Sequence, residues 1–115
     1  MSEAKNSKQY DLEERTFQFA SKVREYVKII PKSVSSIDDI KQLVRSSGSI
    51  GANYIEANDS LSKKDFIMRI KISRKEAKET RFWLRLLAYS QEREELLQEA
   101  TELMNIFGAI LKKSE

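Results

Sequence analysis

The sequence contains no cysteine and no histidine. That absence excludes disulfides, thiolate nucleophiles and Cys or His metal ligation within the chain, and with them imidazole acid–base chemistry near neutral pH. Proline occurs once and glycine three times in 115 residues. So few turn formers argue against a sandwich or barrel of many short strands. No apolar run approaches the roughly 20 residues that a membrane span needs. Met1 to Gln9 is polar and lacks the apolar core of a secretory signal. The expectation is a cytoplasmic protein without membrane contact.

What remains is rich in helix formers. Hydrophobic residues make up 40% and charged residues 34%, too apolar for a disordered chain and of a length typical of one domain. Four segments open on a candidate cap: Asp11 with Glu14 three positions on, Ser36 with Asp39, Ser62 with Asp65, and Ser90 followed by Glu92, Glu94 and Glu95. In the first three, the cap side chain can satisfy an orphan N–H of the first turn. In the fourth, the carboxylates suit the positive end of the helix dipole. Behind each cap, apolar and small residues recur at three- and four-residue steps. The seams are Phe17, Ala20, Val23, Val27, Ile30; then Ile40, Leu43, Val44, Ser47, Ile50, Tyr54, Ala57; then Phe66, Ile70, Ser73, Ala77, Thr80, Leu84, Leu87; then Leu96, Ala100, Leu103, Phe107, Ile110. This is the pattern of bundle helices crossing near 20°.

The fold class predicted is all-α, an antiparallel up-down-up-down four-helix bundle. Its helices cover about 11–30, 37–58, 63–89 and 91–112 within a domain of residues 11–113, behind a flexible terminus of residues 1–10. Pro31 ends the first helix because it has no N–H to continue the ladder. Short connections make sequential helices antiparallel neighbours. Additional apolar residues lie off the seams: Leu12, Phe19, Tyr26 and Ile29; Ile72, Phe82 and Leu86; Leu97, Met104 and Leu111. Either each helix buries a broad face, or the second stripes join copies of the chain, because so small a bundle cannot bury two stripes per helix. Taken together they favour a homo-oligomer.

The second helix carries Arg45-Ser46-Ser47-Gly48-Ser49-Ile50-Gly51-Ala52-Asn53. Each helical glycine costs about 1 kcal/mol relative to alanine. Close approach of a neighbouring helix explains two of them better than a phosphate-binding loop, since no G-x-x-x-x-G-K-[ST] pattern follows and no strand precedes.

Net charge is +3, unevenly placed. Residues 63–90 carry nine Lys/Arg against three acids, whereas residues 91–115 carry six Glu against three cations. On the third helix Lys64, Lys71, Lys75, Lys78 and Arg85 recur at helical spacing, with Arg74 and Arg81 beside them. Such a row suits phosphate oxygens and would bind in a strongly salt-dependent way. The bland alternative is a solvated face, or one paired with the acidic fourth helix. If the second and third helices fold back about residue 60, Arg45 comes level with Glu76 and Glu79, where an ion pair would hold register or a subunit contact. Ser49, Asn53, Glu56 and Trp83 join these three as candidate structural or interface residues. Trp83 beside Phe82 suits packing, with its indole N–H partnered, better than stacking on a base. A carboxylate di-iron centre lacks its Glu-x-x-His pairs. No nucleophile–base pair appears either, so neither an enzyme nor a cofactor or metal site is expected.

Several stretches together are recognisable. Gln42-Leu43-Val44-Arg45-Ser46, Ser49 to Ala57, and Lys75-Glu76-Ala77-Lys78-Glu79-Thr80-Arg81-Phe82-Trp83-Leu84 resemble the signature of the bacterial 23S rRNA intervening-sequence proteins. So do Pro31-Lys32-Ser33 and Ser62-Lys63-Lys64-Asp65-Phe66, and the likeness runs from about Phe17 to the C-terminus. Ser73 and Glu76 depart from the residues usual there, alanine and serine. The resemblance implies a four-helix subunit in a ring-like homopentamer, of unsettled biochemical role. The accessory variability determinant of diversity-generating retroelements looks like a relative. That likeness implies contact with RNA or DNA and with a nucleic-acid-processing protein. Two functions are thus expected as alternatives: a nucleic-acid-binding adaptor, or a structural, protein-binding oligomer.

Overall fold

A computed structural model describes the backbone of residues 3–115 and the side chains of residues 11–115. Its helices are α1 (Glu3–Ile29), α2 (Val34–Asn58), α3 (Lys63–Leu86) and α4 (Gln91–Lys113), and no strand occurs among the described residues. Each helix packs on the next and α4 returns to α1, while the diagonal pairs stay apart. That is the up-down-up-down bundle, 48 × 24 × 19 Å.

Serine hydroxyls set three of the four helix starts. Ser62 accepts from the Asp65 N–H and Ser90 from the Arg93 N–H, both at 3.1 Å, as their spacing predicts. In α2 the cap moves upstream of the expected Ser36. Ser33 is the N-cap and Ser36 is its reciprocal partner, accepting from the Ser33 N–H at 2.8 Å. α1 also begins earlier than expected, at Glu3, so Asp11 lies inside a helix and caps nothing. No proline or glycine interrupts residues 3–10, which leaves nothing to break the helix there. Of residues 1–10, expected as a flexible terminus, those from Glu3 on belong to α1, and the first two lie outside the described residues. α1 stops before Pro31, where Lys32 Nζ donates to the Val27 and Ile30 carbonyls at 2.7 and 2.9 Å. A lysine so placed closes carbonyls that the last turn leaves open. α3 ends at Leu86 rather than 89 because Leu87 turns extended.

The seams of α2, α3 and α4 face the core nearly as their spacing requires. Leu43, Ile50, Ile70, Leu84, Leu103 and Phe107 are fully buried, and Phe107 meets Tyr54 with ring centroids 5.7 Å apart. α1 is rotated from the expected register. Thr16, Phe19, Val23 and Tyr26 point inward, and Phe17 stands 62% exposed. Val23, expected on the Phe17 stripe, also lies four residues from Phe19 and three from Tyr26, and the register adopted buries those two aromatic rings. Its cost, a buried Thr16 hydroxyl, is offset by donation to the Glu13 carbonyl at 2.8 Å. Leu97, Met104 and Leu111 pack partly buried against the core, so these extra stripes of α4 are simply a broad inner face. Phe82 and Leu86 of α3 remain exposed.

The two glycines of α2 separate into different cases. A Cβ at Gly51 would lie 2.7 Å from Thr16 Oγ1 and 3.0 Å from Thr16 Cβ, so α1 crosses α2 there with no space for a methyl group. A Cβ at Gly48 would meet only the end of the flexible Arg24 side chain, at 3.1 Å. Gly51→Ala is expected to destabilise the fold by about 1–2 kcal/mol, overpacking outweighing the helix-propensity gain. Gly48→Ala is expected to be neutral or to stabilise by up to about 1 kcal/mol. Thermal melts of the two variants decide this; equal shifts would show that the Thr16 contact does not limit packing.

Candidate nucleic-acid interface

At about 100° per residue, Lys64, Lys71, Lys75, Lys78 and Arg85 fall within a sector of about 80° on the outer side of α3. All five are exposed, and none takes part in a salt bridge among the described residues. The row runs 21 residues, about 32 Å at 1.5 Å per residue. Phe82 lies within the sector and Met68 and Leu86 border it, each between 51% and 53% exposed. Arg74 and Arg81, expected on the same face, turn toward α4 and are half-buried. Arg81 Nε donates to Thr101 Oγ1 at 2.9 Å, and Arg74 lies over Gly108. These two brace the α3–α4 seam, leaving five of the seven expected cations fully outward.

The opposite edge of α3 carries a polar cluster. Arg45 of α2 donates to Glu76 at 3.2 and 3.4 Å and also to Glu79, which is the pairing expected from the fold-back. Glu76 is only 7% exposed, so Arg45 supplies the neutralising charge that a buried carboxylate requires. The Trp83 indole N–H donates to Glu79 at 3.0 Å, and its ring meets Phe82 edge-on with centroids 5.0 Å apart. Trp83 is thus a packed, partnered aromatic, and Phe82 is the exposed ring of the pair. Asn53 ties the two helices further along: it accepts from Arg69 at 3.0 Å and donates to the Ser49 carbonyl and hydroxyl. Deeper still, Ser73 Oγ donates to the Ile50 carbonyl at 3.0 Å, and the Thr80 and Ser46 hydroxyls are hydrogen-bonded at 2.9 Å. Glu56 is exposed at the end of α2; its carbonyl accepts from the Asp59 N–H and the Ser60 hydroxyl, and its side chain has no hydrogen bond or ion pair among the described residues.

Trp83 first, and Arg45 after it, hold the Glu79 carboxyl below its ordinary pKa. A depressed folded-state pKa stabilises the fold fully above the ordinary carboxylate value, and that contribution is lost as pH falls through the lowered one. Trp83→Phe removes the larger cause. In melts between about pH 6 and about pH 2, the variant is expected to lose less stability on acidification than the parent chain. Superimposable acid limbs would show that the Trp83–Glu79 bond contributes nothing.

Among the described residues no acidic cluster of three or more gathers as a metal site, and no helix is long and apolar enough to cross a membrane. A second surface went unnoticed in the sequence. Among the described residues α1 and α4 pack least closely of the four neighbouring pairs. Between them opens a groove of about 820 Å³, bridged by Arg15, which donates to Glu99 at 2.7 and 2.8 Å and to Glu102 at 2.8 Å.

None of the curated proteins matches the chain. A solved structure from Bacteroides thetaiotaomicron, a protein of unknown function from the S23 ribosomal protein family, is similar over 91% of this chain and 98% of its own. The identity is 31% and the TM-score 0.81. The sequence pattern of the 23S rRNA-intervening sequence proteins matches residues 8–112. Fold, helix order and sequence agree, and the chain belongs to the 23S rRNA-intervening sequence protein family.

Proposed function

We propose that this chain is a non-enzymatic nucleic-acid-binding adaptor that contacts phosphates through the outer face of α3. The observation that supports the reading best is the row of five exposed cations from Lys64 to Arg85, none in a salt bridge among the described residues. Its length of about 32 Å is close to one turn of duplex, 34–36 Å. Side chains that meet only phosphates carry no sequence information, so binding is sequence-tolerant. Phe82, exposed within the row, adds a stacking face for an unpaired base.

The adaptor works as an assembly of copies, in our reading a cytoplasmic ring of five. Exposed Phe17, Ile55 and Leu86 on three different helices support association. We propose a second partner as well, a protein that processes nucleic acid, on the resemblance of the sequence to the accessory variability determinant.

Fluorescence anisotropy with a labelled structured RNA, over roughly 50–200 mM salt, tests the phosphate reading. Five contacts are expected to give a slope of log K against log salt of about −3.5 to −4.5. A slope near zero, or no binding at the lowest salt, would remove nucleic acid. The basic and apolar face of α3 would then be a protein-binding surface of a structural oligomer.

A further inference from the structure

The outer face of α3 carries two parallel lines of side chains, each with a period of seven residues. One is wholly cationic: Lys64, Lys71, Lys78 and Arg85. The other is Met68, Lys75 and Phe82, displaced by four residues and so by about 40° around the helix. Another four residues in the same direction, from Lys75, lies Glu79, which Arg45 of α2 holds. The second line is therefore the one nearer α2. Met68 stands between Lys64 and Lys71, and Phe82 between Lys78 and Arg85. The same cation–apolar–cation unit thus recurs after 14 residues, about 21 Å along the helix. Both apolar side chains are half exposed, at 51% and 52%. Beside Met68 the surface is hollowed into a shallow groove of about 490 Å³, lined by Ile67 and Met68 with Lys63, Lys64 and Lys71.

We infer, on the phosphate reading, that the nucleic acid taken by this face is an unpaired strand. Its phosphates follow the line from Lys64 to Arg85, and two of its bases turn onto Met68 and Phe82. A duplex stacks its bases inside and turns sugar and phosphate outward along its whole rim. Met68 and Phe82 would then lie against charged backbone and desolvate it, with no hydrogen bond to offer in return. An unpaired strand is the complement of the face, a charged edge with a row of base faces beside it. Stacking on Phe82 and thioether contact at Met68 ask only for a ring, so the identity of the base is not read. Neither line contains an acid, so the occupant is polyanionic, which a second copy of this net-positive chain is not.

Fluorescence anisotropy compares three labelled ligands on the full-length protein: an RNA strand of about 12 nucleotides, the same strand in a blunt duplex, and a strand of equal length with abasic sugars at alternate positions. A duplex offers more phosphate per unit length, so phosphate contacts alone would favour it. The intact single strand is expected to bind about tenfold more tightly than the duplex at equal salt, and the abasic sugars should remove that advantage. Met68→Ala with Phe82→Ala should weaken single-strand binding about tenfold and leave duplex binding unchanged. The salt slope of that variant should stay as in the parent, because no phosphate contact is lost. Duplex binding as tight as that of the single strand, or an abasic strand bound as tightly as the intact one, would overturn the unpaired strand and leave the phosphate reading standing. So would full single-strand binding by the double variant; a reduced oligomeric mass beside it would make Met68 and Phe82 a contact between copies. A salt slope near zero on all three ligands would remove both readings.

Discussion

Changing Lys71, Lys75 and Lys78 together to glutamate is expected to reduce RNA affinity at low salt by at least about 100-fold. The three lysines occupy the middle of the α3 row and are fully outward. Reversal therefore removes three phosphate contacts and sets three repulsive charges between the two that remain at Lys64 and Arg85. The salt dependence should collapse with the affinity, because counterion release scales with the phosphates neutralised. Folding should not change: none of the three makes a side-chain hydrogen bond or salt bridge among the described residues, and exposed charges contribute little to stability. A control with the same charge change on α1, the helix diagonal to α3, Lys22→Glu with Arg24→Glu and Lys28→Glu, separates a local site from net charge. It should weaken binding by no more than about threefold, since charges beyond a Debye length of the row are screened. Equal losses from the two triple variants would mean that the RNA responds to overall charge and not to α3.

Arg45→Glu is expected to destabilise the bundle by about 2–4 kcal/mol, because breaking a buried ion pair leaves its partner uncompensated. Arg45 is itself half exposed, with 47% of its side chain accessible, which keeps the figure below that of a fully buried pair. The carboxylate it leaves behind is the decisive term. Glu76 is nearly closed off from water, and a glutamate at position 45 would add repulsion toward both Glu76 and Glu79. For a domain of this size the melting temperature should drop by roughly 10–20 °C. Arg45→Gln with Glu76→Gln should recover most of the loss, since two neutral amides can hydrogen-bond without burying charge. If Arg45→Glu melts with the parent chain, the α2–α3 register does not depend on this pair.

Where the fold and the contacts of the candidate site were legible, short-range chemistry carried the signal. Ser62 and Ser90 cap because a hydroxyl reaches the third N–H after it, a distance set within four residues. The Arg45–Glu76 pair was readable because an antiparallel fold-back about residue 60 brings equal distances along α2 and α3 together. α1 was read in the wrong register. Phe17 and Phe19 each start a stripe at helical spacing, and only packing against the other helices selects Phe19, with Val23 buried beside it. The Ser33 cap was hidden by Ser36, because each serine has a partner three residues away. Arg74 and Arg81 lie at the edge of the cationic sector of α3, and the position of α4, which periodicity does not record, turns them into braces. The reason for Gly51 was legible as a close approach, but not that Thr16 of α1 is what approaches. The acidic wall of the groove was legible as the glutamate excess after residue 90, but the groove itself was not, since it arises from how the first helix closes on the last.

Lysine-selective acetylation, read by mass spectrometry with and without structured RNA, tests the central claim that phosphates lie along α3. Lys64, Lys71, Lys75 and Lys78 should be protected together by RNA and released by salt, while Lys22 and Lys28 on α1 react as in the free protein. Uniform protection across the chain, or protection confined to lysines off α3, would contradict it.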